Sequence, residues 1–226
     1  MSAPDYHGPE ARDRHGRPYL RCALPKGRLA DRIAEHFAER GLHFSFDNRK
    51  LVSRDEEHGI EYMLVKNSDL PTYVHHGIAG IGMCGDDVLY ESGYPFYELA
   101  RMPFGSTRMC LASRVDEDQD ILPGEGGGEA VRIATKFTRF ARDYFHDRGV
   151  PVQIIKLNGS VELAPVLGLA PYIVDLVETG STLKANKLEV KAELAHIHVK
   201  LIANPAYYKF HYARLNELLG RIAPDA

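Results

Sequence analysis

Short apolar runs alternate with amphipathic stretches along most of the chain. The apolar runs predict β-strands over 19–24, 60–66, 79–85, 107–113, 131–136, 152–157, 172–177 and near 194–202. The amphipathic stretches predict helices over 29–40, from 67 onward, over 137–145, over 160–167 and near 207–219. Because strands and helices alternate, the pattern predicts an α/β fold with mainly parallel sheets.

Two helices are defined by the spacing of their apolar side chains. In the first, a series at i, i+3, i+4, i+7 and i+8 forms one face, namely Phe137, Phe140, Ala141, Tyr144 and Phe145. In the last helix, the apolar positions predicted to share one face are Phe210, Leu215, Leu218, Leu219 and Ile222. Each helix is therefore expected to pack on the core through this face.

The composition is that of an ordinary globular protein. The chain has 226 residues, with 28 Lys and Arg against 31 Asp and Glu and a formal charge of −3. Without a basic excess, binding of nucleic acid is not expected, so an anion site must be a local concentration of cations and backbone N–H groups. Three cysteines, Cys22, Cys84 and Cys110, lie in apolar runs without a C-x-x-C pair and are expected to be buried free thiols.

The chain ends and loops suggest its organisation. Residues 1–18 are rich in proline and charge, and we expect a flexible tail there. They lack the apolar region of a secretory signal, and no later run is apolar enough for a membrane span, so a cytoplasmic location is expected. The loop over 116–130 contains three consecutive glycines and suggests two α/β lobes.

The segment 174–186, VDLVETGSTLKAN, joins a predicted buried strand to a predicted helix. Ligands of parallel α/β sheets collect at the carboxyl ends of strands, where a helix start offers free N–H groups. Gly180 would let the backbone approach a phosphate. Hydroxyl donors come from Thr179, Ser181 and Thr182. The acids nearby fit a ligand that also carries ribose hydroxyls or bound Mg²⁺. From these residues alone, a capped helix without a ligand is an equally good interpretation.

A second candidate is the turn 23–29, ALPKGRL, between the first predicted strand and its helix. Lys26 and Arg28 stand at a helix start, where the helix dipole disfavours cations unless an anion is bound. A bound polyphosphate would reverse the sign of that interaction. The alternative is a solvated basic turn.

Two further motifs carry weaker signals. GIGMCG, with Gly80, Gly82 and Gly85, matches the glycine pattern of dinucleotide sites, but no strand presents an acid about 20 residues later. His196 and His198 could share a strand face as metal ligands, but no third ligand has a recognisable spacing. We expect neither site from these residues.

Five sequence blocks, in a fixed order, resemble the ATP phosphoribosyltransferase family, which catalyses the first step of histidine biosynthesis. The blocks are ALPKGRL, VKNSDLPTYVHHGIAGIGMCGDDVLYE, RIATKFTRFARDYF, IIKLNGSVELAPVLGLAPYIVDLVETGSTLKAN and KLIANPAYY. They extend from about Tyr19 to Tyr208. Lys66 departs from the pattern, because the family often has Arg there, and 1–18 have no counterpart.

The resemblance implies a two-lobed fold similar to periplasmic binding proteins, with mainly parallel sheets. One lobe would combine 19–103 with 186–226, and the other would cover 104–185. It also implies a reaction in which adenine N1 of ATP attacks the anomeric carbon of phosphoribosyl pyrophosphate (PRPP). The products are N1-(5-phosphoribosyl)-ATP and pyrophosphate, and Mg²⁺ is the implied cofactor.

The resemblance further implies which residues form the site. Those implied for PRPP are Asp175, Glu178, Thr179, Gly180, Ser181 and Thr182. Those implied for ATP are Lys26, Arg28, Lys50, Asp69 and Leu70, and the implied catalytic cations are Lys26, Arg28 and Arg49. Catalysis would rest on positioning and on cationic stabilisation of pyrophosphate, with Mg²⁺ carried by PRPP or pyrophosphate and no protein ligand assigned.

Longer members of the family continue past the NPAYY block into a histidine-binding domain. The chain resembles the short form, which works with a regulatory subunit related to histidyl-tRNA synthetase and forms a homodimer of catalytic chains. Two other functions stay open from the sequence, a bilobed ligand-binding protein without catalysis and a purine-salvage phosphoribosyltransferase. Salvage enzymes usually carry two adjacent acids before T-G-x-T, whereas here Val177 precedes Glu178.

Overall fold

A computed structural model describes residues 11–46, 50–117 and 130–224 of the chain. In chain order the strands are β1 (Leu20–Pro25), β2 (Val52–Asp55), β3 (Ile60–Val65), β4 (Ile81–Gly85), β5 (Tyr97–Arg101), β6 (Thr107–Arg114), β7 (Val131–Thr135), β8 (Val152–Lys156), β9 (Tyr172–Val177), β10 (Leu188–Ile197) and β11 (Val199–Ala203). The helices are α1 (Arg28–Ala38), α2 (Leu70–His75), α3 (Asp86–Ser92), α4 (Thr138–His146), α5 (Leu163–Val166), α6 (Ser181–Ala185), α7 (Pro205–Phe210) and α8 (Tyr212–Ile222). The predicted α/β class is confirmed.

The chain divides into two compact units, each with its own sheet. Unit 1 comprises the residues up to Gly105 and those from Val199 onward, and unit 2 comprises Ser106–His198. The sheet of unit 1 has the order β2-β3-β1-β4-β11-β5, and that of unit 2 has the order β10-β6-β9-β7-β8. Both connections between the units, 105–106 and 198–199, therefore lie beside strand ends.

The parallel strands form the centre of the sheet in unit 1 and one side of the sheet in unit 2, and the remaining strands of both sheets pair antiparallel. In unit 1 the parallel strands are β3, β1 and β4, and in unit 2 they are β9, β7 and β8. Parallel neighbours cannot be joined by a tight hairpin, so the chain crosses over through α1, α2, α4 and α5. The parallel pairing predicted from the alternation of strands and helices is found between these strands.

Helices cover both faces of each sheet, because adjacent strand residues point to opposite faces. In β1, Leu24 packs in one buried cluster with Phe37 of α1, whereas Ala23 packs in another with Leu70 of α2. In unit 2, Phe145 of α4 packs with Val174 of β9 on one face. The face predicted for α4 is confirmed, since its five apolar residues are buried or pack against this cluster.

The strand predicted near 194–202 is two strands in different sheets. β10 pairs with β6 along 188–197, whereas β11 pairs with β4 and β5. The division between the two units therefore falls after His198. The sequence analysis instead began the second segment of that lobe at residue 186. The strands β2 and β5 were not predicted, because they are short and rich in polar residues and so lack an apolar run.

The predicted final helix is divided into α7 and α8, and the helical conformation is interrupted at His211. Phe210, the last residue of α7, is 86% exposed, so its predicted place on the packing face is wrong. Leu215, Leu218 and Ile222 of α8 are buried as predicted.

Residues 11–18 pack against unit 1 rather than extend as a tail. Arg12 and Pro18 form a β-bridge, and the buried Asp13 carboxylate accepts hydrogen bonds from the backbone N–H groups of His15 and Arg17. Arg214 of α8 donates to the carbonyl of Pro18. Residues 1–10, the rest of the predicted tail, lie outside the described residues.

Two expectations from composition can be compared with the structure. Cys22, Cys84 and Cys110 are free and buried, which confirms the prediction. Among the described residues, no helix combines the length and the apolar character that a bilayer crossing requires.

Close packing accounts for two glycines of the GIGMCG motif. A Cβ atom on Gly80 would overlap the ring of Tyr207, and one on Gly82 would lie 2.8 Å from Leu70 Cδ2. The Tyr207 ring cannot easily move away, because its hydroxyl accepts a hydrogen bond of 3.2 Å from the Arg21 N–H. These glycines let α2 and α7 approach the sheet.

We therefore expect Gly80→Ala to lower the free energy of unfolding by about 1–3 kcal/mol, the usual cost of overpacking a core. The matched control is Gly220→Ala in α8, where a Cβ meets no atom within 4 Å. That change is expected to raise stability by about 0.5–1 kcal/mol, since glycine is unfavourable inside a helix. Urea unfolding of both variants checks the pair, and equal stabilities would contradict the packing role of Gly80.

Candidate functional site

In unit 2, the polar residues implied for PRPP follow the carboxyl end of β9. This end lies beside that of β7, since Thr135 is opposite Val174 in the parallel register. The chain then continues into Lys136 on one side and into Asp175 and the loop 178–182 on the other. The structure thus brings the predicted loop to the edge where parallel sheets bind ligands.

The loop 178–182 turns into α6 through a left-handed residue. Gly180 has φ +76°, a conformation that favours glycine, and its carbonyl accepts the Lys184 N–H at 3.1 Å. The hydroxyls of Thr179, Ser181 and Thr182 are on exposed residues. Thr179 Oγ1 donates to Ser181 Oγ at 3.2 Å and accepts only a long hydrogen bond of 3.4 Å from the Ser181 N–H.

This geometry bears on the alternative of a helix capped without a ligand. The N-cap residue of α6 is Gly180, which has no side chain, and the hydroxyl that meets the helix start does so only through the long bond from Ser181 N–H to Thr179 Oγ1. The strand end below the loop is held by Thr107, whose Oγ1 donates to the carbonyl of Val177 at 3.1 Å. The loop therefore presents hydroxyls on a fixed base.

Asp175 lies within β9, on a face of the sheet that is otherwise apolar. Ile173, Asp175 and Val177 alternate along β9 on the face covered by α5 and α6, and the Asp175 side chain is 22% exposed. Burial raises the pKa of the Asp175 carboxyl, and the nearby Glu162 acts in the same direction. The Leu176 N–H and Lys136 oppose this shift.

Lys136 is a residue that sequence reasoning missed. Its Nζ lies 4.0 Å from Asp175 Oδ1 and 4.6 Å from the centre of the Phe137 ring. A signal was present, because Lys136 ends a predicted strand beside the strand that carries Asp175. The register of the two strands, which places them side by side, was not readable from the sequence.

In unit 1, the predicted basic residues also meet at one edge of the sheet. Pro25 of β1 is opposite Val65 of β3, so Lys26 and Lys66 follow neighbouring strand ends. β2 enters antiparallel to β3 at this edge, where Leu64 N–H donates to Leu51 O at 2.8 Å, and Lys50 precedes it. The edge therefore carries four exposed cations, namely Lys26, Arg28, Lys50 and Lys66.

The turn from β1 into α1 is built on glycine. Gly27 has φ +94° and precedes Arg28, the first residue of α1. Lys26 N–H donates to Val65 O at 2.9 Å, and no side chain caps α1. The helix dipole disfavours cations at a helix start, and Asp31 in the first turn of α1 offsets part of the basic charge of Arg28.

The other residues implied for ATP differ in exposure. Asp69 is exposed and accepts a hydrogen bond of 2.9 Å from Ser68 Oγ. Leu70 is fully buried in the core between the sheet and α2, so only its backbone could contact a nucleotide. Arg49 lies outside the described residues.

The histidine motif has an ordinary explanation. His196 Nε2 lies 3.0 Å from Glu193 Oε1, and its ring stacks with that of His198. Among residues 11–46, 50–117 and 130–224, no group of three His, Cys, Asp or Glu is arranged to hold a metal ion.

Comparison with known proteins confirms the family that the sequence blocks resemble. The family model described as HisG: ATP phosphoribosyltransferase matches residues 66–224. The ATP phosphoribosyltransferase of Clostridioides difficile is 40% identical over 206 residues, which are 89% of this chain and 95% of that protein. The enzyme of Brachyspira hyodysenteriae is 42% identical over 207 residues, which are 90% of this chain and 98% of that protein.

Solved structures agree with these matches. The ATP phosphoribosyl transferase (HisG:HisZ) complex from Thermotoga maritima contains a similar chain with a TM-score of 0.76 and 35% identity, covering 91% of this chain and 97% of that one. The periplasmic aliphatic sulphonate binding protein SsuA from Escherichia coli has a TM-score of 0.61 and 13% identity, covering 91% and 72%. The second likeness shows the fold alone and confirms the predicted periplasmic-binding-protein-like fold.

We expect Asp175→Asn to raise the thermal unfolding midpoint by a few degrees at neutral pH. The raised pKa of Asp175 means that the folded chain binds its proton more tightly, so wild-type stability falls as the pH rises from the ordinary carboxyl range through the raised pKa. Asparagine keeps the shape and has no charge to bury. Melting curves at several pH values check this, and a midpoint difference that did not shrink in acid would contradict it.

Proposed function

The chain belongs to the ATP phosphoribosyltransferase family, and on that premise we propose that it condenses ATP with PRPP to N1-(5-phosphoribosyl)-ATP and pyrophosphate, the first step of histidine biosynthesis. The observation that carries the proposal is the family match over 66–224, which includes the loop 178–182. Relatives of this name match the chain over 94–98% of their own lengths. The chain is thus an enzyme that transfers a phosphoribosyl group.

We assign the loop 178–182 to the 5′-phosphate and ribose of PRPP. The left-handed Gly180 leaves the backbone open to a phosphate, and the exposed hydroxyls beside it are hydrogen-bond donors. Asp175 and Glu178 supply acceptors for sugar hydroxyls. A pure phosphate site would not tolerate two nearby acids well, because like charges repel, so their presence favours a phosphorylated sugar.

We assign the cationic edge of unit 1 to the phosphates of ATP and to pyrophosphate. Lys26 and Arg28 take the catalytic positions together with Arg49, and Lys50 and the exposed Asp69 contribute to ATP binding. Leu70 supports the start of α2 from the core. Four exposed cations at one sheet edge support this assignment, since polyphosphates need several charge-assisted hydrogen bonds.

The reaction needs no nucleophile from the protein, since adenine N1 attacks the anomeric carbon and pyrophosphate leaves. The protein positions the two substrates and stabilises charge that develops on the leaving group. The buried thiols of Cys22 and Cys84 fit this scheme, because burial raises the pKa of both and keeps them neutral.

Mg²⁺ enters as part of the substrate, bound to PRPP and then to pyrophosphate. The loop offers carboxylate and hydroxyl oxygens, which are the ligand types that Mg²⁺ prefers. Neutralising the pyrophosphate is the chemistry that the ion would supply.

We further propose a cytoplasmic location, a homodimer of catalytic chains and a separate regulatory subunit of the HisZ kind. The support for the subunit is the Thermotoga maritima HisG:HisZ complex, of whose matching chain this one covers 97%.

The direct test is incubation of the purified chain with ATP, PRPP and Mg²⁺, alone and with a HisZ-type subunit. Formation of N1-(5-phosphoribosyl)-ATP and pyrophosphate in equal amounts is expected. Turnover of a free purine base in place of ATP would favour a salvage enzyme, and binding without turnover would favour the non-catalytic binding protein.

Thr182→Val keeps the shape of one loop side chain and removes its hydroxyl. We expect kcat/KM for PRPP to fall. The corresponding loss of transition-state stabilisation is about 1.5–3 kcal/mol, the value of one hydrogen bond to a charged group. Thr182→Ser, which keeps the hydroxyl, is the matched control and should stay close to wild type. Unchanged kinetics in the valine variant would mean that Thr182 does not bind PRPP.

Histidine is expected to leave the initial rate of the lone chain unchanged and to inhibit only the mixture with the HisZ-type subunit. Allosteric inhibition needs a site distinct from the substrate sites, and in this proposal the HisZ-type subunit supplies that site. Rate titrations with histidine, with and without the subunit, check the prediction. Strong inhibition of the lone chain, noncompetitive with both substrates, would locate a histidine site on the chain itself.

A further inference from the structure

The pair formed by Lys136 and Asp175 is unlike the exposed ion pairs of unit 2. Asp175 is mostly buried, with 22% of its side chain exposed, whereas the Lys136 side chain is 45% exposed. A half-exposed lysine thus lies beside a mostly buried carboxylate, with Lys136 Nζ 4.0 Å from Asp175 Oδ1. Exposed pairs contribute little, but a partly buried carboxylate interacts with a cation in a less polar surrounding.

The backbone around Lys136 is held on both sides. The buried Thr135 donates from Oγ1 to Val174 O at 2.6 Å, which ties the end of β7 to β9. The same Oγ1 accepts the Phe137 N–H at 2.9 Å, which fixes the start of α4. Thr135 is thus tied to the strand that carries Asp175, and Phe137 is tied to Thr135, so the backbone at Lys136 is fixed beside that strand.

The other groups around Asp175 do not compensate its charge as Lys136 does. Glu162, just before α5, has the same sign, and Cys110 lies opposite Asp175 in the pairing of β6 with β9. Burial raises the pKa of the Cys110 thiol, so it stays neutral. The Leu176 N–H is the other group that favours the ionised carboxylate.

We propose that Lys136 is a positioning residue of the PRPP site, which holds the Asp175 carboxylate ionised and directed toward the ribose hydroxyls. The inference rests on the proposed function and deepens it. A protonated Asp175 would have a weaker acceptor oxygen and would compete as a donor. Lys136 therefore acts on PRPP through Asp175 and extends the pH range in which the site works.

The kinetic test compares Lys136→Met with Lys136→Arg, which keeps the cation. In the methionine variant we expect KM for PRPP to rise about tenfold at pH 7, the ratio that matches one charge-assisted interaction, and KM for ATP to stay within about twofold. The acidic limb of the pH profile of kcat/KM for PRPP should move to higher pH, because removal of the cation raises the pKa of Asp175. The arginine variant should restore the limb.

The matched control is Lys191→Met, which removes a lysine from the exposed strand β10, where it pairs with Glu189 at 2.8 Å. It changes the net charge of unit 2 equally and should leave the PRPP kinetics and the pH profile unchanged. Lys136→Gln serves as a second neutral variant if the methionine protein folds poorly.

A measurement without substrates separates this inference from the proposed function. Thermal unfolding of wild type, Lys136→Met, Asp175→Asn and the double variant forms a double-mutant cycle. The lysine change should lower the midpoint by a few degrees at neutral pH in wild type but not in the Asp175→Asn background, and the difference should vanish in acid. This result is expected even if the wild-type chain fails to use ATP and PRPP.

Three outcomes would overturn the inference. Unchanged PRPP kinetics in Lys136→Met would show that the lysine has no role in the site. An equal loss at every pH, with no shift of the acidic limb, would mean that Lys136 binds PRPP directly. Absence of coupling in the unfolding cycle would show that Lys136 does not act on Asp175.

Discussion

Parallel pairing of the central strands is the constraint on which the rest of the structure depends. Pairing Pro25 with Val65 in unit 1 and Thr135 with Val174 in unit 2 aligns the carboxyl ends of neighbouring strands. Each strand then ends in a polar turn at the same edge. Since a parallel pair needs a crossover helix, helix starts collect at that edge as well.

The two edges have different chemical characters. The edge of unit 1 carries four cations and a helix start without a side-chain cap, which suits polyphosphate. The edge of unit 2 combines hydroxyls, a left-handed glycine and buried acid, which suits a phosphorylated sugar. In the proposed function, the edge of unit 1 contacts the phosphates of ATP and pyrophosphate, and the edge of unit 2 contacts the ribose 5-phosphate part of PRPP.

Asp175 illustrates how function opposes stability in this fold. Its side chain lies on the sheet face covered by α5 and α6. Ile173 and Val177, two positions away on either side in β9, pack in the core on that face. An apolar residue there would be more favourable for folding, because a buried carboxylate loses hydration. The Leu176 N–H and Lys136 offset this cost in part. In the proposed function, the site gains an acceptor for the ribose hydroxyls.

The sequence by itself determined the α/β class, the face of α4 and the polar loops that follow β1 and β9, because these depend on local periodicity and turn chemistry. It also carried the family resemblance, since ordered blocks survive without knowledge of contacts. It did not determine the short polar strands β2 and β5, the separation of β10 from β11, or the exposure of Phe210 at the end of α7. Only the tertiary structure decided that Lys136 meets Asp175 and that Leu70 is buried, because strand register and packing join residues far apart in the chain.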